Sequence, residues 1–389
     1  MKQRILIVDA IRGFALFGIL IIHSIEQFDL ANYPESLGIL SWLDPMVKQV
    51  VFFIFASKSY SIFSIMFGFS FYIQMKNKEE QGIDFSFRFI WRLILLFIIG
   101  YLYSLFYIGE VLTIFALLGL ILVPMYKLNT KWLIFIGILF LIQLPLLYGL
   151  GKSIISPTYE YTESWHYWDS ISHTFINGSF LDVIKINSFQ SHLAKWQYMH
   201  NTGRYIQMIG LFIIGLLAGR NQYFTNIISH KNVTLKIMVT SAMLFGCLYY
   251  FPLLLDNNSF TSTQNRLLLL LSQSYLSLAF TIFLITLFIL IYLFVQNRFK
   301  LNYLSYYGRM SLTNYVTQAV FGTIFFYGYG FGMYRYFGIT FCLLYGLVFF
   351  IIQVQVSKIC LSNFYYGPLE WLWRALTFSD FRLKFKKKN

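Results

Sequence analysis

Long apolar runs separated by short polar segments repeat along the whole chain. Ten of these runs approach or exceed the roughly 20 residues that a helix needs to cross a hydrocarbon core. The second and the eighth are long enough to tilt or to contain a break. The pattern predicts an all-α fold, a polytopic transmembrane helix bundle of about ten spans. The runs cover residues 5–26, 47–75, 88–107, 110–126, 131–150, 204–220, 233–253, 267–295, 310–328 and 337–360.

Composition supports this prediction and excludes a soluble protein. Of the 389 residues, 58% are hydrophobic and 12% are charged, about half of the charge that an ordinary soluble domain carries. The formal net charge of +14 suggests a nucleic-acid binder at first. That class is excluded because the charges cluster at the ends of apolar runs. The three cysteines, Cys247, Cys342 and Cys360, lie inside apolar runs and form neither a disulfide framework nor a metal-binding spacing.

The distribution of lysine and arginine predicts the orientation in the membrane. With the N-terminus inside, cytoplasmic segments hold 20 basic residues and the outer segments hold seven. Both termini are therefore predicted to be cytoplasmic, in a multi-pass protein of the cell membrane. Four regions follow: a transmembrane half at 1–150, an extracytoplasmic amphipathic loop at 151–203, a second transmembrane half at 204–365 and a basic cytoplasmic tail at 366–389. Tryptophans and terminal lysines favour a plain anchor at the lipid interface for the tail.

Four ionisable residues of the first predicted span share one helical face, and we call them the polar stripe: Asp9, Arg12, His23 and Glu26. Arg12 and His23 lie roughly 16 Å apart along the helix axis. Ionisable side chains inside a membrane are costly and are candidates for function. Arg12 could hold a phosphate or a carbonyl, and His23 could act as a general base or accept an acyl group. The alternative is a structural pair between Asp9 and Arg12, with His23 only capping the helix.

Other polar residues near the spans have both structural and functional interpretations. Lys58 lies deep in the second run, where we expect it either to contact an anion or a carbonyl, or to form a buried salt bridge, for instance to Asp9. Arg88 and Arg92, one turn apart, could bind nucleotide phosphates or only follow the positive-inside rule. Arg309 begins the ninth run, and Asn314 lies further along the same run. Its amide contacts a ligand or, as the pattern favours, joins two helices.

The predicted outer segments hold further candidates. Glu110 is interpreted as an exposed loop acid. His166, Asp169 and His173 share one face if their segment is helical, but a metal site needs a third ligand with the right geometry, so no metal is expected.

Several segments resemble the YeiB-like family of integral membrane proteins. The resemblance spans Ile5 to Phe378, and these segments occur in the order expected of that family. They read RILIVDAIRGFALFGIL, SYSIFSIMFGFSF, GEVLTIFALLGLILVP, LFIIGLLAGR, YYGRMSLTNYVTQ, FYGYGFG and GPLEWLWRALTF.

The N-terminal half also resembles heparan-alpha-glucosaminide N-acetyltransferase and, more distantly, bacterial membrane O-acyltransferases. In the latter an Asp, an Arg three residues on and a His eleven residues beyond it mark the first helix, and Asp9, Arg12 and His23 match that spacing. The resemblance implies a cytoplasmic acyl-CoA donor, acetyl-CoA first of all. It also implies a pantetheine arm inside the bundle and an extracytoplasmic acceptor, such as a cell-surface glycan or a lipid.

One departure concerns the base. At the position of His23 the heparan enzyme has an Asn, and it uses a His in the following loop, whereas residues 24–48 here contain no His. Either His23 takes the base role, as in the bacterial O-acyltransferases, or this branch does something else.

Three hypotheses result. The first is a transmembrane acyltransferase in which His23, poised by Glu26, is catalytic. In it the donor contacts Asp9, Arg12, Lys58, Arg88, Arg92, Arg309 and Asn314. The second is a transporter or lipid carrier that uses the same polar path. The third is a scaffold whose polar residues only pack helices. The expected partners are the lipid bilayer, acyl-CoA and the acceptor, with no nucleic acid, and a homodimer stays open.

Overall fold

A computed structural model describes residues 4–36, 38–156, 158–161, 167–250, 260–295 and 302–387. Over these residues the chain is helical throughout, without a β-strand, which confirms the predicted all-α class. The α-helices are α1 (Leu6–Ile25), α2 (Asp44–Phe55), α3 (Lys58–Glu79), α4 (Ser86–Ser104), α5 (Leu112–Gly119), α6 (Leu122–Tyr126), α7 (Thr130–Leu141), α8 (Leu144–Ile155), α9 (Trp168–Asn177), α10 (Phe180–Ser188), α11 (Gln190–Asn201), α12 (Arg204–Arg220), α13 (Lys231–Tyr250), α14 (Ser262–Val295), α15 (Asn302–Arg309), α16 (Ser311–Phe326), α17 (Ile339–Asn363) and α18 (Pro368–Phe378).

Six helical segments in the described chain are long and apolar enough to cross a membrane, and two bent helix pairs raise the number to eight. The pairs are α7 with α8, bent by 50°, and α11 with α12, bent by 74°. Runs 110–126 and 310–328 of the predicted ten contain only shorter helices, α5 with α6 and the 16-residue α16. The protein is a multi-pass helical membrane protein.

The two longest predicted runs differ in their continuity. The second breaks between α2 and α3 at Ser57, whose φ of 65° lies in the left-handed region. The eighth is a continuous helix, α14, of 34 residues. The break matters for the site because it places Ser57 beside a cavity that is described below.

Helix α1 is the central helix of the bundle. It packs against α2, α3, α14, α15, α16 and α17. Its most apolar window is 67% buried, compared with 11% for that of α13, which packs mainly on α14 at the periphery. A helix that is apolar nearly all round and enclosed by others keeps its few polar residues inside protein rather than in lipid.

Close helix packing fixes the frame around α1. On α3, a Cβ at Gly68 would lie 2.0 Å from the carbonyl oxygen of Phe212, and on α12 a Cβ at Gly215 would lie 1.9 Å from that of Ile65. Only glycine allows the two backbones to approach this closely.

Candidate functional site

The polar stripe faces two cavities at opposite ends of α1. The first, which we call the arginine cavity, has a volume of about 530 Å³ and includes Arg12 in its lining. The second, the histidine cavity, has a volume of about 550 Å³ and includes His23 and Glu26. The arginine cavity is bordered by segments predicted to be cytoplasmic, and the histidine cavity by segments predicted to be outside. Asp9 lines neither cavity.

The arginine cavity carries a large excess of positive charge. Glu370 is the single acidic residue among its described lining residues. The basic side chains come from five helices or their flanks, so they meet only in the folded bundle. They are Arg4, Arg12, Lys78, Arg92, Arg309 and Arg374.

Arg12 is held by a small hydrogen-bond network. Its guanidinium donates a short hydrogen bond to the hydroxyl of Ser70 on α3. Its Nη1 lies 3.8 Å from Oδ1 of the buried Asp9, whose other oxygen accepts a 2.6 Å bond from Arg4. The Asp9–Arg12 pair therefore exists, and it leaves Arg12 in contact with the cavity.

A close approach of α1 and α15 brings Arg309 to the same cavity. A Cβ at Gly308 would lie 1.9 Å from the carbonyl oxygen of Asp9, and one at Gly13 would lie 2.3 Å from that of Leu304. The two glycines therefore allow backbone contact beside both arginines. The Nε of Arg309 is buried and has no hydrogen-bond partner among the described residues, so a donor is available for a ligand.

The tail does more than the predicted plain anchor requires, because α18 forms part of the cavity wall. The carboxylate of Glu370 accepts hydrogen bonds from the backbone N–H of Leu312 and Thr313, at 2.7 and 2.9 Å, and so caps the N-terminus of α16. The Arg92 guanidinium lies 3.6 Å from the ring centroid of Trp373 on α18. Burial raises the pKa of Glu370.

Besides Asp9, three of the predicted donor-binding residues lie outside the lining of both cavities. Arg88 is exposed and lies 5.7 Å from the ring of Phe378, one turn of α4 before Arg92. The ammonium of Lys58 lies 5.6 Å from the ring of Phe280, so neither a channel contact nor the alternative salt bridge to Asp9 describes it.

Asn314 is the third of these residues. Its amide donates to the carbonyl of Tyr307, at 3.0 Å, and to the hydroxyl of Ser357, at 2.9 Å. This is the helix-joining alternative, because both donations of the buried amide nitrogen go to neighbouring helices.

In the histidine cavity, His23 is part of a relay that the sequence did not indicate. Its Nδ1 lies 2.6 Å from the hydroxyl of Tyr107, and Tyr107 is also hydrogen-bonded to the carboxylate of Asp29. Glu26, the predicted partner of His23, is more distant, with 3.9 Å between Oε2 and Nδ1.

The relay favours one tautomer of the imidazole. A carboxylate only accepts hydrogen bonds, so the Tyr107 hydroxyl donates to Asp29 and its oxygen accepts from Nδ1–H of His23. The Nε2 atom then carries the lone pair, as a general base requires.

An unusual turn after α1 places Asp29 in this relay. Gln27, Phe28 and Asp29 have φ angles of 51°, 56° and 72°, in the left-handed region that non-glycine residues rarely adopt. Such strained backbone is concentrated at functional sites. Burial, followed by the charge of Asp29, raises the pKa of Glu26, and burial also raises that of Asp29.

Glu110 is buried rather than exposed, which corrects the interpretation from sequence. It is 1% exposed and forms an ion pair with Lys195, which is 7% exposed. Glu110 also accepts a 3.0 Å hydrogen bond from the backbone N–H of Thr113 at the start of α5. Both charged residues line the histidine cavity.

Arg204 and Trp168 complete the polar lining. The guanidinium of Arg204 lies 4.8 Å from the ring of Tyr198 and donates a 3.0 Å bond to Ser57. The indole Nε1 of Trp168 is buried without a hydrogen-bond partner in the described chain. Trp168 lies on α9, and Lys195 and Tyr198 lie on α11. Both helices come from the predicted outer loop, so that loop covers the cavity.

Of the loop's metal candidates, His166 and the side chain of Asp169 lie outside the described residues, and His173 is exposed.

Sequence reasoning missed Tyr107, Asp29, Lys195, Arg204 and Glu370 as site residues. Asp29 follows the stripe at a helical interval from His23 and Glu26, which was a usable signal. The other four residues come from distant segments, and no periodicity connects them to α1.

Comparison with known proteins finds one family match, in the second half of the chain. Residues 218–380 match the family described as "Protein of unknown function (DUF418)". This region includes Arg309, Glu370 and Arg374 of the arginine cavity, whereas the polar stripe precedes it.

Relatives match over different lengths. The chain is 25% identical to "Uncharacterized protein YxaH" of Bacillus subtilis (strain 168) over 411 aligned positions, covering 99% of this chain and 97% of the relative. It is 25% identical over 394 positions to "Uncharacterized 39.9 kDa protein in amylase 3'region" of Bacillus acidopullulyticus, covering 100% and 98%. A match of 82 residues at 38% identity, 21% of each chain, is to "Uncharacterized protein YeiB" of Escherichia coli (strain K12). These similarities confirm the predicted resemblance to YeiB-like membrane proteins, and residues 218–380 match the DUF418 family model.

Proposed function

We propose that the protein is a membrane-embedded acyltransferase. It transfers an acyl group, acetyl first of all, from acyl-CoA in the arginine cavity to an acceptor in the histidine cavity. One observation carries the proposal: a single helix, α1, presents Arg12 to a cation-rich cavity and His23 to an adjoining cavity with a base relay. The acceptor is a glycan or a lipid on the extracytoplasmic side.

The donor end suits a polyanion. CoA carries several phosphate charges, and guanidinium groups bind phosphate oxygens with paired, charge-assisted hydrogen bonds. The buried Nε of Arg309 adds a donor that no described residue uses. The arginines would hold the nucleotide while the narrow pantetheine arm extends along α1 toward His23.

The acceptor end suits proton transfer. In the proposed reaction His23 Nε2 takes the proton from an acceptor hydroxyl or amine, whose oxygen or nitrogen attacks the thioester carbonyl. The new acyl bond forms as the C–S bond breaks, and the CoA thiolate leaves and takes up the proton. The relay through Tyr107 to Asp29 holds the ring in the required tautomer. The free indole N–H of Trp168 is available to bind the acceptor.

A carrier that moves its substrate unchanged is the second candidate. Two cavities that meet midway along one helix also fit alternating access from two sides. The chemical fate of the thioester separates the two functions.

The test is thioester turnover by the purified full-length protein in liposomes. Acetyl-CoA is the donor, hydroxylamine is the probe acceptor, and acetohydroxamate and free thiol are measured. Because a positioned general base contributes about 10²–10⁴-fold, we expect His23→Gln to lose roughly that factor. His173→Gln, an exposed histidine on α9, is the matched control and should retain the parent rate. Equal rates for the parent and His23→Gln would contradict the proposal, and release of unchanged substrate across the membrane would favour the carrier.

A further inference from the structure

Three residues border both cavities and form what we call the shared wall. They are Ile19 on α1, Val111 just before α5 and Tyr315 on α16. In the part of the chain that the structure describes, no other residue lines both cavities. The two cavities therefore adjoin at this wall.

The shared wall is largely apolar, and hydrogen bonds hold its ring in place. The Tyr315 hydroxyl accepts from the backbone N–H of Val111, at 3.2 Å, and donates to the carbonyl of Gly109, at 3.3 Å. Its own carbonyl accepts a 3.2 Å bond from the Tyr103 hydroxyl. Ile19 and Tyr315 are both buried. The ring of Tyr315 is thus held to the segment before α5 by two hydrogen bonds.

The wall also lies at a defined height along α1. Ile19 follows Arg12 by seven residues and precedes His23 by four, so all three lie on one helical face. Along the axis the wall is about 10 Å from Arg12 and about 6 Å from His23. A donor whose phosphates contact Arg12 must cross the wall before its thioester reaches His23.

We propose that Ile19, Val111 and Tyr315 form a filter that selects the donor by the width of its acyl group. The inference rests on the proposed function. The acyl group leads through the wall and the pantetheine arm follows, while the nucleotide stays behind. The filter excludes branched or ring-shaped acyl groups because they are wide. It accepts unbranched groups of several lengths, because the histidine cavity beyond the wall has about 550 Å³ of space.

The experiment compares acetyl-, hexanoyl- and benzoyl-CoA in the hydroxamate assay. For the parent we expect acetyl and hexanoyl rates within about tenfold of each other and a benzoyl rate about 100-fold lower, as steric pockets discriminate. Ile19→Ala should raise the benzoyl-to-acetyl ratio at least about tenfold. Ile21→Ala is the matched control, because Ile21 is a buried isoleucine of α1 that lines neither cavity, and it should leave the ratio unchanged.

Tyr315→Phe keeps the ring and removes the two hydrogen bonds of the hydroxyl. This variant tests the filter if Ile19→Ala does not fold. We expect a smaller rise in the same ratio. Acetyl turnover with an unchanged ratio in both variants would overturn the filter and leave the proposed function intact. A parent that favours benzoyl-CoA would do the same.

A second measurement separates the filter from the chemistry. In a variant without its native cysteines, Ala56→Cys reports on the histidine cavity and Gln74→Cys on the arginine cavity. A membrane-impermeant maleimide applied from the arginine-cavity side should label Gln74→Cys alone, and should label Ala56→Cys only after Ile19→Ala and Tyr315→Ala open the wall. Equal labelling with the wall intact overturns the inference. Selective labelling without thioester turnover removes the proposed function, and the donor filter with it, but retains the barrier.

Discussion

The arginine cavity and the histidine cavity have nearly the same volume, but they differ in the charges of the side chains that line them. Six basic side chains line the first, and Glu370, the one acid among its described lining residues, caps α16. In the second, Lys195 and Arg204 face Glu26, Asp29 and Glu110, so charges of both signs are present. An unpaired excess of cations needs a counter-ion from outside, whereas a balanced set does not. The comparison therefore supports the proposed binding of an anionic donor at one end of α1 and the proposed proton transfer at the other.

The largest expected effect is on stability and belongs to the histidine cavity. Lys195→Met leaves the buried Glu110 carboxylate without its partner, which typically costs about 3–5 kcal/mol. The unfolding midpoint in detergent should fall sharply, and Glu110→Gln combined with Lys195→Met should recover part of the loss. Lys185→Met, at an exposed lysine of α10, is the control and should not change the midpoint. Equal midpoints for Lys195→Met and the control would show that the pair does not stabilise the fold.

The next effect distinguishes Arg92, which lines the arginine cavity, from Arg88, which lies one turn away on α4 and outside the cavity. Arg92→Ala should weaken the binding of CoA by about 10- to 100-fold, because a hydrogen bond to a charged group contributes about 1.5–3 kcal/mol. Arg88→Ala should leave binding unchanged, since Arg88 is exposed outside the cavity. Titration calorimetry with purified protein measures both. Similar losses in the two variants would mean that CoA is held by general surface charge.

The smallest effect concerns the pH dependence of the histidine cavity. Burial raises the pKa of Asp29 to about 6. The Asp29 carboxylate, which accepts the hydrogen bond of Tyr107, is therefore protonated at a higher pH than an ordinary aspartate. The rate of acyl transfer should therefore rise with pH through about 6 rather than through about 4. Asp29→Asn should flatten this rise and lower the plateau by about tenfold.

CoA binding in the arginine cavity should not share that inflection in the parent protein. An Asp29→Asn profile identical to that of the parent would exclude Asp29 from the relay. A shift of binding and rate together would instead place the titrating group near the phosphates.

The sequence predicted what a single helix can encode. Periodicity alone placed Arg12 and His23 on one face of α1, and the two residues line the two cavities. Run length and hydropathy predicted the helices, and the difference between ten predicted spans and the observed six to eight arises where helices are short or bent.

Periodicity and hydropathy could not predict which side chains of different helices contact each other. The partner of Nδ1 in His23 is Tyr107, 84 residues away, and only the packing of the bundle brings the two together. Arg88 and Arg92 looked equivalent because both follow the same charge rule, yet Arg88 is exposed and Arg92, one turn further along α4, lines the arginine cavity. Asn314 illustrates the reverse, since its amide nitrogen donates to two neighbouring helices.

The position of α18 has a practical consequence for anyone who shortens this chain. Removing the last two dozen residues looks like the trimming of a basic extension, yet it would delete Glu370, Trp373 and Arg374 together. The amide groups at the start of α16 would lose their acceptor, and the arginine cavity would lose the part of its wall that α18 forms. Affinity tags are therefore better carried on a linker after the final lysines than in place of them.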